Sequence, residues 1–188
     1  MRRIFIAINL PAEVKDKIIK KVYDKDLPGR FISKENLHLT LVFLGYLKDE
    51  DLGRVERVCT DIVRHTMPFY LTIKKAVLAP QNRMIWGVFK DSKRLKSLQN
   101  RLKLALESAL VTKREKRPYL PHLTLSRVKQ KDRKKIARMW QNIDLNLGFE
   151  VHGIEIMESE LSPKGARYQV LKTLTFLNKN VKLIYRRR

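Results

Sequence analysis

The residues that could do chemistry stand in the tetrapeptide His-Leu-Thr-Leu, which occurs at His38–Leu41 and again at His122–Leu125. Each copy alternates polar and apolar residues, which predicts a strand with His and Thr on one face and the leucines on the other. Continued alternation places Phe43 on the leucine face of the first strand and Ser126 on the histidine face of the second. Leucines suit a core, whereas imidazoles can take and give protons near neutral pH. The repeat therefore predicts an acid–base site with two histidines.

The segments around the two copies follow one order, strand–helix–motif strand–helix–strand, and this order is used twice. In the first half we predict strand Ile4–Asn9, a helix from Pro11 to about Lys25, the motif strand from His38, a helix from Asp49 to about His65, and strand Phe69–Leu78. In the second half we predict strand Met84–Phe89, a helix from Asp91 to about Leu110, the motif strand from His122, a helix from Asp132 to about Ile143, and a long strand Leu147–Leu161. A last strand is expected at about 167–176.

This order predicts an α+β fold with two similar lobes related by a rough two-fold axis. We expect lobes at about 1–80 and 81–165, with the last strand completing the sheet. Antiparallel sheets would line a central cleft that holds both motifs, with the helices outside. No Gly/Ser-rich linker separates the halves, so residues 1–188 are expected to form a single domain.

The composition favours a polyanionic partner, because 41 Lys and Arg face 19 Asp and Glu and the formal charge is +22. Basic clusters lie at Lys113–Arg117, Arg127–Arg138 and Arg186–Arg188. The single cysteine, Cys59, has the spacing of a buried helix position and excludes an internal disulfide. No stretch approaches the roughly 18 apolar residues that span a bilayer, so we expect a cytoplasmic protein without a membrane partner.

Metal binding and nucleotide triphosphate chemistry are the first alternatives to two-histidine catalysis. The chain has no His-x-x-x-His or Cys-x-x-Cys, and no carboxylate stands in phase with either motif, so no metal site is expected. Gly-rich phosphate loops are also absent from the sequence. Of the other two histidines, His65 is expected at a helix end, where its charge is favourable, and His152, in phase with isoleucines, is expected to pack in the interior.

Longer segments around these residues resemble the 2H phosphoesterases, and among them the RNA 2′,3′-cyclic phosphodiesterases, also called 2′-5′ RNA ligases or LigT-like proteins. The segments that carry the resemblance are Arg30–Gly45, Arg83–Val88, Arg117–Arg127, Ser159-x-Leu161 and Gly165-x-x-Tyr168. Three positions depart from the family pattern: Val42 where a basic residue is frequent, Tyr119 where Phe is usual, and Leu120 where Arg is common. These departures bear on phosphate or RNA contacts, and hence on substrate preference.

The resemblance implies hydrolysis of RNA 2′,3′-cyclic phosphate ends to 2′-phosphomonoesters, with reversible 2′-5′ ligation by the same groups. His38 is expected to be the proton donor and His122 the proton acceptor, although the residues themselves leave the two roles open. The implied enzyme needs no metal or cofactor. It would act as a monomer on RNA with cyclic phosphate ends, such as tRNA fragments.

Further residues are candidates for contact with the substrate. Thr40 and Thr124 can donate hydrogen bonds to the phosphoryl oxygens. Arg127 can add a cation, although strict alternation puts it on the face opposite His122. Aromatic side chains could stack on a base or sugar; they are Phe31, Tyr119, Tyr168 and Trp86, and for Trp86 core packing is favoured.

Two other functions stay open on the sequence. One is action on a different phosphodiester within the same superfamily: a 2′-5′ oligonucleotide, an ADP-ribose cyclic phosphate or an RNA 3′ end. The other is a non-catalytic basic RNA-binding protein whose His-x-Thr pairs only grip phosphate. The paired histidines favour catalysis, because Lys or Arg would serve a pure phosphate binder as well.

Overall fold

The computed structural model describes residues 1–23, 27–110, 118–162 and 165–177, which form strands β1–β9 and helices α1–α4. The strands are β1 Arg2–Asn9, β2 Arg30–Phe31, β3 His38–Leu47, β4 Phe69–Leu78, β5 Met84–Phe89, β6 His122–Arg127, β7 Ile143–Val151, β8 Gly153–Ser162 and β9 Gly165–Thr175. The helices are α1 Ala12–Val22, α2 Asp49–Val63, α3 Lys93–Leu110 and α4 Arg133–Met139. No helix in these residues is long and apolar enough to cross a membrane.

The predicted elements are present, and the boundaries of two helices, α3 and α4, need correction. Helix α3 begins after Ser92 rather than at Asp91, because the Ser92 hydroxyl accepts a hydrogen bond from the Leu95 N–H and caps the helix. Helix α4 ends at Met139, since Ile143 already belongs to β7. The predicted end of α1 at Lys25 lies outside the described residues.

The predicted long strand Leu147–Leu161 is two strands that meet at His152. Before this residue, β7 pairs with β4; after it, β8 pairs with β1 and β9. A Cβ at Gly153 would collide with the carbonyl oxygen of Leu174, so the residue after the break must be small. His152 is exposed beside Glu150, so the expectation that it packs in the interior is wrong.

All strands belong to one antiparallel sheet, with the order β7-β4-β5-β6-β3-β1-β8-β9 and with β2 added beside β6. The two motif strands, β3 and β6, are central neighbours and pair at Leu39–Leu123. The halves of this sheet do not follow the predicted lobes at about 1–80 and 81–165. Strand β4 lies beside β5 and strand β8 lies beside β1, so each half of the sequence gives a strand to the other half of the sheet.

The helices cover one face of the sheet, and both motif histidines lie on the other. The main core joins the inward side chains of all four helices to one face of the strands, for example Ile6 of β1, Leu39 of β3 and Leu123 of β6. A smaller cluster on the opposite face contains Phe5, Ala7 and Met157, with Tyr168 packed against it. Strand β1 is buried on both faces, which explains its unbroken apolar run. The expected α+β fold, with helices outside, is confirmed.

Candidate active site

Each motif strand carries a β-bulge at the same place, one residue after the motif threonine. In β3, Thr40 pairs with Ala7 and Val42 with Ile6, so Leu41 is an extra residue. In β6, Thr124 pairs with Trp86 and Ser126 with Ile85, so Leu125 is an extra residue. A bulge shifts the alternation of side chains by one position. Residues beyond the bulge therefore lie on the face opposite to the one that simple alternation gives them.

The two bulges correct three expectations about side-chain direction. Phe43 lies on the histidine face and is 53% exposed, not packed with the leucines. Ser126 is fully buried, on the core face rather than the histidine face. Arg127 lies on the same face as His122, and it lines both cavities of the site. Phe43 and Arg127 each stand five residues after a motif histidine.

The ring of His38 is fixed by a hydrogen bond and by two aromatic side chains. Its Nδ1 lies 2.7 Å from the carbonyl oxygen of Asn36, and its Nε2 lies 3.1 Å from Thr40 Oγ1. The rings of Phe5 and Tyr168 contact it, with centroids at 5.0 Å and 4.9 Å, and they also contact each other at 5.2 Å. The Asn36 side chain donates in turn to the Ala166 carbonyl, which joins this loop to β9. His38 therefore has little rotational freedom.

His122 repeats this arrangement with different neighbours. Its Nδ1 lies 2.8 Å from the carbonyl oxygen of Leu120, again two residues earlier in the chain. The ring of Trp86 stacks on it at 4.1 Å and 26°. Trp86 therefore orients His122, a role that is neither the core packing nor the base stacking considered from the sequence.

The hydrogen bonds fix the tautomer of both neutral histidines. A carbonyl oxygen only accepts, so Nδ1 carries the hydrogen in each ring and donates it to Asn36 or Leu120. The unprotonated Nε2 of each ring is then the nitrogen available for proton transfer. In His38 this nitrogen accepts the hydrogen of the Thr40 hydroxyl. A main-chain carbonyl two residues before each histidine thus sets the same tautomer in both rings.

A small cavity of about 110 Å³ brings the two motifs together. Its lining residues are Ile32, Asn36, His38, Thr40, His122, Thr124, Arg127 and Tyr168. This volume is well below the roughly 300–1,000 Å³ that is usual for small-molecule sites, so the space suits a phosphoryl group with an attacking water rather than a whole nucleoside. A second cavity of about 550 Å³ adjoins it and shares His38, Thr40, Arg127 and Tyr168 with it.

Burial favours the neutral form of both imidazoles. It lowers the pKa of His38 from 6.5 to about 4, with smaller contributions from the charges of Lys15 and His122, while the bond to the Asn36 carbonyl acts in the opposite direction. Burial also lowers the pKa of His122, and the Leu120 carbonyl opposes that shift. A proton donor must therefore gain its proton when an anion arrives, because negative charge nearby raises the pKa of an imidazole.

Tyr119 joins the two motifs instead of lining a cavity. Its hydroxyl donates to the carbonyl oxygen of Thr40 at 3.0 Å, from the segment before β6 to the strand β3. The family's usual Phe could not make this bond. The same departure from the pattern therefore adds a cross-link between the two motif strands.

The remaining predicted residues fall in different places. Tyr168 lines both cavities. Phe31 stacks on Tyr23 at 4.3 Å and packs against the core, so it does not belong to the residues that line either cavity. The clusters Lys113–Arg117 and Arg186–Arg188 lie outside the described residues. Within those residues there is no group of three or more His, Cys, Asp or Glu placed to hold a metal ion.

Several residues of the site were missed by reasoning from the sequence. The larger cavity is also lined by Arg3, Phe5, Phe43, Lys129 and Ser159. The alternation of Arg3 and Phe5 along β1 could have marked them as one face of a strand. Phe43 and Arg127 both stand five residues after a motif histidine. This spacing indicates a place on the histidine face only when a bulge is assumed in each motif strand, and simple alternation does not predict one.

Comparison with known proteins places the chain in a family. The sequence profile of the 2′-5′ RNA ligase superfamily matches residues 11–163. An RNA 2′,3′-cyclic phosphodiesterase of Methanothermobacter thermautotrophicus is 31% identical, over 88% of this chain and 94% of that protein. The protein of the same name in Methanocaldococcus jannaschii is 33% identical, over 90% of this chain and 98% of its own length.

Solved structures give the same result. The crystal structure of Escherichia coli LigT in apo form has a TM-score of 0.79 at 27% identity, covering 94% of this chain and 98% of LigT. LigT complexed with 3′-AMP has a TM-score of 0.76 at 26% identity, covering 94% and 99%. The chain belongs to the 2′-5′ RNA ligase superfamily, the group of the 2H phosphoesterases.

Proposed function

We propose that this chain hydrolyses RNA 2′,3′-cyclic phosphate ends to 2′-phosphomonoesters by two-histidine acid–base catalysis without a metal. One observation carries the proposal: both His-x-Thr pairs line a single cavity of about 110 Å³, and each Nδ1 is held by a carbonyl so that Nε2 is the reactive nitrogen. The names of the relatives support the choice of substrate. The full set of proposed catalytic residues is His38, His122, Thr40 and Thr124.

The reaction needs one proton removed and one proton delivered. In the proposed sequence, Nε2 of His122 takes a proton from water while the water oxygen bonds to phosphorus. The bond from phosphorus to the ribose 3′ oxygen breaks, and His38 gives that oxygen its proton. The 2′ ester bond stays, so the product is a 2′-phosphate. Histidines on two different strands can act from opposite sides of the phosphoryl group, as in-line displacement requires.

The threonines and Arg127 would stabilise the charge that grows on the phosphoryl oxygens. When Nε2 of His38 is protonated, it no longer accepts from Thr40, which frees the threonine hydrogen for a phosphoryl oxygen while the Nε2–H serves the departing oxygen. Thr124 occupies the matching position in the second motif. Arg127 borders the same cavity, and its guanidinium can donate two parallel hydrogen bonds to an anion.

The assignment of the two histidine roles is open to a direct test. The strongly lowered pKa of His38 favours its neutral form, so His38 must take up a proton, favoured by the negative charge of the substrate, before it can act as the donor. An RNA end with sulfur in place of the 3′ bridging oxygen has a leaving group that departs without a proton. His38→Ala should regain most of its lost rate on this substrate and His122→Ala should not. The opposite pattern would exchange the roles.

Ligation follows from the same groups if an RNA 5′-hydroxyl replaces water. The proton acceptor then removes the hydroxyl proton, and attack at phosphorus with loss of the 3′ oxygen gives a 2′-5′ linkage. Hydrolysis is expected to dominate, since water is the more abundant nucleophile.

We further propose a single 2H domain over residues 1–188 with pseudo-two-fold related halves, acting as a cytoplasmic monomer on RNA such as tRNA fragments. The strand order supports the symmetry, since each half reads motif strand, opening strand and two further strands outward from the β3–β6 boundary. The single buried cysteine suits a reducing compartment. Sedimentation equilibrium tests the monomer, and an oligomeric mass would refute it.

The test of the proposed activity uses purified protein and an RNA that ends in a 2′,3′-cyclic phosphate, with EDTA present throughout. Phosphorus NMR identifies the product, and a His38→Ala/His122→Ala double variant is the control. Conversion to a 2′-phosphate by the wild type alone is expected. A product with a 3′-phosphate, or inhibition by EDTA, would contradict the mechanism. No turnover, with equal RNA binding by both proteins, would favour the RNA-binding alternative, and turnover of only another phosphodiester would favour a different 2H substrate.

A further inference from the structure

The larger cavity is the place where the terminal nucleoside must lie, if the proposed function holds. The reacting phosphoryl group needs both histidines, and only the small cavity is lined by both. The adjoining cavity of about 550 Å³ starts at His38 and Thr40 and falls within the range of roughly 300–1,000 Å³ that is usual for small-molecule sites. Its volume and its direct contact with the small cavity make it the continuation of the substrate site.

The charge of this cavity exceeds what a nucleoside requires. Arg3, Arg30, Arg127 and Lys129 line it, and none of its described lining residues is acidic. Arg127 also borders the small cavity, so its charge can serve the reacting phosphoryl group. The other three cations belong to the larger cavity alone. Since a nucleoside is neutral, the positive charge of Arg3 and Lys129 favours a substrate that carries a further negative group in this cavity.

Arg3 is held in place without losing its charge. Its Nη1 donates to the hydroxyl of Ser159 at 2.9 Å, and its guanidinium lies 4.6 Å from the ring centre of Phe43. Ser159 is only 5% exposed, so this hydroxyl is a fixed acceptor. The neighbouring Arg2 instead forms an ion pair with Glu158. A neutral hydroxyl thus orients the arginine inside the cavity, whereas a carboxylate neutralises the arginine next to it in the sequence.

We propose that Arg3 and Lys129 bind the phosphodiester that joins the terminal nucleotide to the preceding one. In a cyclic-phosphate end, this phosphodiester is the nearest negative charge after the reacting group. It leaves the terminal nucleoside from the 5′ oxygen, away from the two histidines. The enzyme is then built for the ends of RNA chains, and it prefers them over free cyclic mononucleotides.

The test compares a cyclic mononucleotide, cytidine 2′,3′-cyclic phosphate, with the dinucleotide CpC carrying the same cyclic end. The measured quantity is the ratio of kcat/KM for the dinucleotide to kcat/KM for the mononucleotide. Arg3→Ala and Lys129→Ala should each lower this ratio about tenfold, the value of one charge-assisted hydrogen bond. In the wild type, log kcat/KM for the dinucleotide should fall more steeply with log salt, by about 0.7 in slope.

Two further variants separate the proposed contacts from a general loss of positive charge and from the orientation of Arg3. Lys135→Ala removes the same charge from an exposed position on α4 outside both cavities, and the ratio should not change. Ser159→Ala keeps the Arg3 charge but removes its fixed acceptor, and should lower the ratio by a smaller factor. Lys129 is exposed, so its variant will fold even if Arg3→Ala proves unstable.

An unchanged ratio in both Arg3→Ala and Lys129→Ala would overturn the proposal, as would an equal fall for the two substrates. An equal fall would mean that these cations act on the terminal nucleotide. Failure of the proposed function would look different, because the wild type would then turn over neither substrate.

Discussion

Replacing His38 by Asn tests whether the imidazole is held neutral by the folded protein. In the folded state burial lowers the pKa of His38 to about 4, against an ordinary value of 6.5. An asparagine amide does not ionise between pH 4 and pH 6.5, and its nitrogen can still donate to the Asn36 carbonyl. The wild type and the variant should therefore differ in how their stability depends on pH, whatever their difference at neutral pH.

The sign follows from the lowered pKa. Because the unfolded state binds the proton more readily, His38 contributes stability above pH 6.5 that is lost as the pH falls through 6.5 toward 4. With pKa values of 6.5 and about 4, the loss between neutral pH and pH 5 is about 2 kcal/mol. For a chain of this size that corresponds to roughly 4–8 °C in Tm.

Urea unfolding at pH 7.5 and pH 5.0 measures this quantity. The wild type should lose about 2 kcal/mol more than His38→Asn on going to pH 5. Thr40→Val, which keeps His38, should retain most of the wild-type pH dependence. Equal losses in the wild type and His38→Asn would refute the inference that the folded protein keeps His38 neutral.

Four further predictions follow from the site. Thr124→Val should lower kcat by about a hundredfold with little change in KM, because the hydroxyl stabilises charge that grows in the transition state. Steady-state kinetics measures both constants, and an effect on KM alone would contradict this role. Tyr119→Phe should lower the unfolding free energy by about 1 kcal/mol through loss of the bond to the Thr40 carbonyl, measured by urea unfolding; an unchanged value would deny the cross-link. Trp86→Leu should broaden or shift the NMR signals of the His122 ring and lower kcat, because the stacked indole orients that ring. Unchanged His122 signals would exclude this role for Trp86. Binding of a 2′-nucleotide at pH 7.5 should take up protons, seen by calorimetry in buffers of different ionisation enthalpy, and no uptake would show that a histidine is already charged.

Much of the fold could be predicted from local signals. Strands β4 and β5 have the predicted bounds Phe69–Leu78 and Met84–Phe89, because apolar residues mark them and turns follow at once. The motif strands were placed by alternation up to the threonine. Apolar spacing, Pro11 and the acids at Asp49–Asp51 placed the helices, and the start of α3 and the end of α4 differ from the prediction because a cap at Ser92 and a following strand decide them.

The bulges, the strand exchange and part of the site depend on pairing between strands that are distant in the sequence. Local residue patterns do not predict this pairing. The bulges at Leu41 and Leu125 are set by the registers against β1 and β5, and they decide whether Phe43 and Arg127 face the site. Strands β4 and β8 each belong to the half of the sheet formed mainly by the other half of the sequence. The order of elements along the chain would be the same without this exchange, so that order could not predict it. The two histidines could be predicted because their motif is repeated, whereas Arg3 and Ser159 meet only through the β1–β8 pairing.

The central claim is that His38 and His122 act together on one phosphoryl group. Its most direct test is kcat for His38→Ala and for His122→Ala on an RNA cyclic-phosphate end with EDTA present, with RNA binding followed by fluorescence anisotropy. Each single variant should lose a factor of about 10² to 10⁴ in kcat while binding RNA as the wild type does. Activity within tenfold of the wild type in either variant would contradict the two-histidine mechanism.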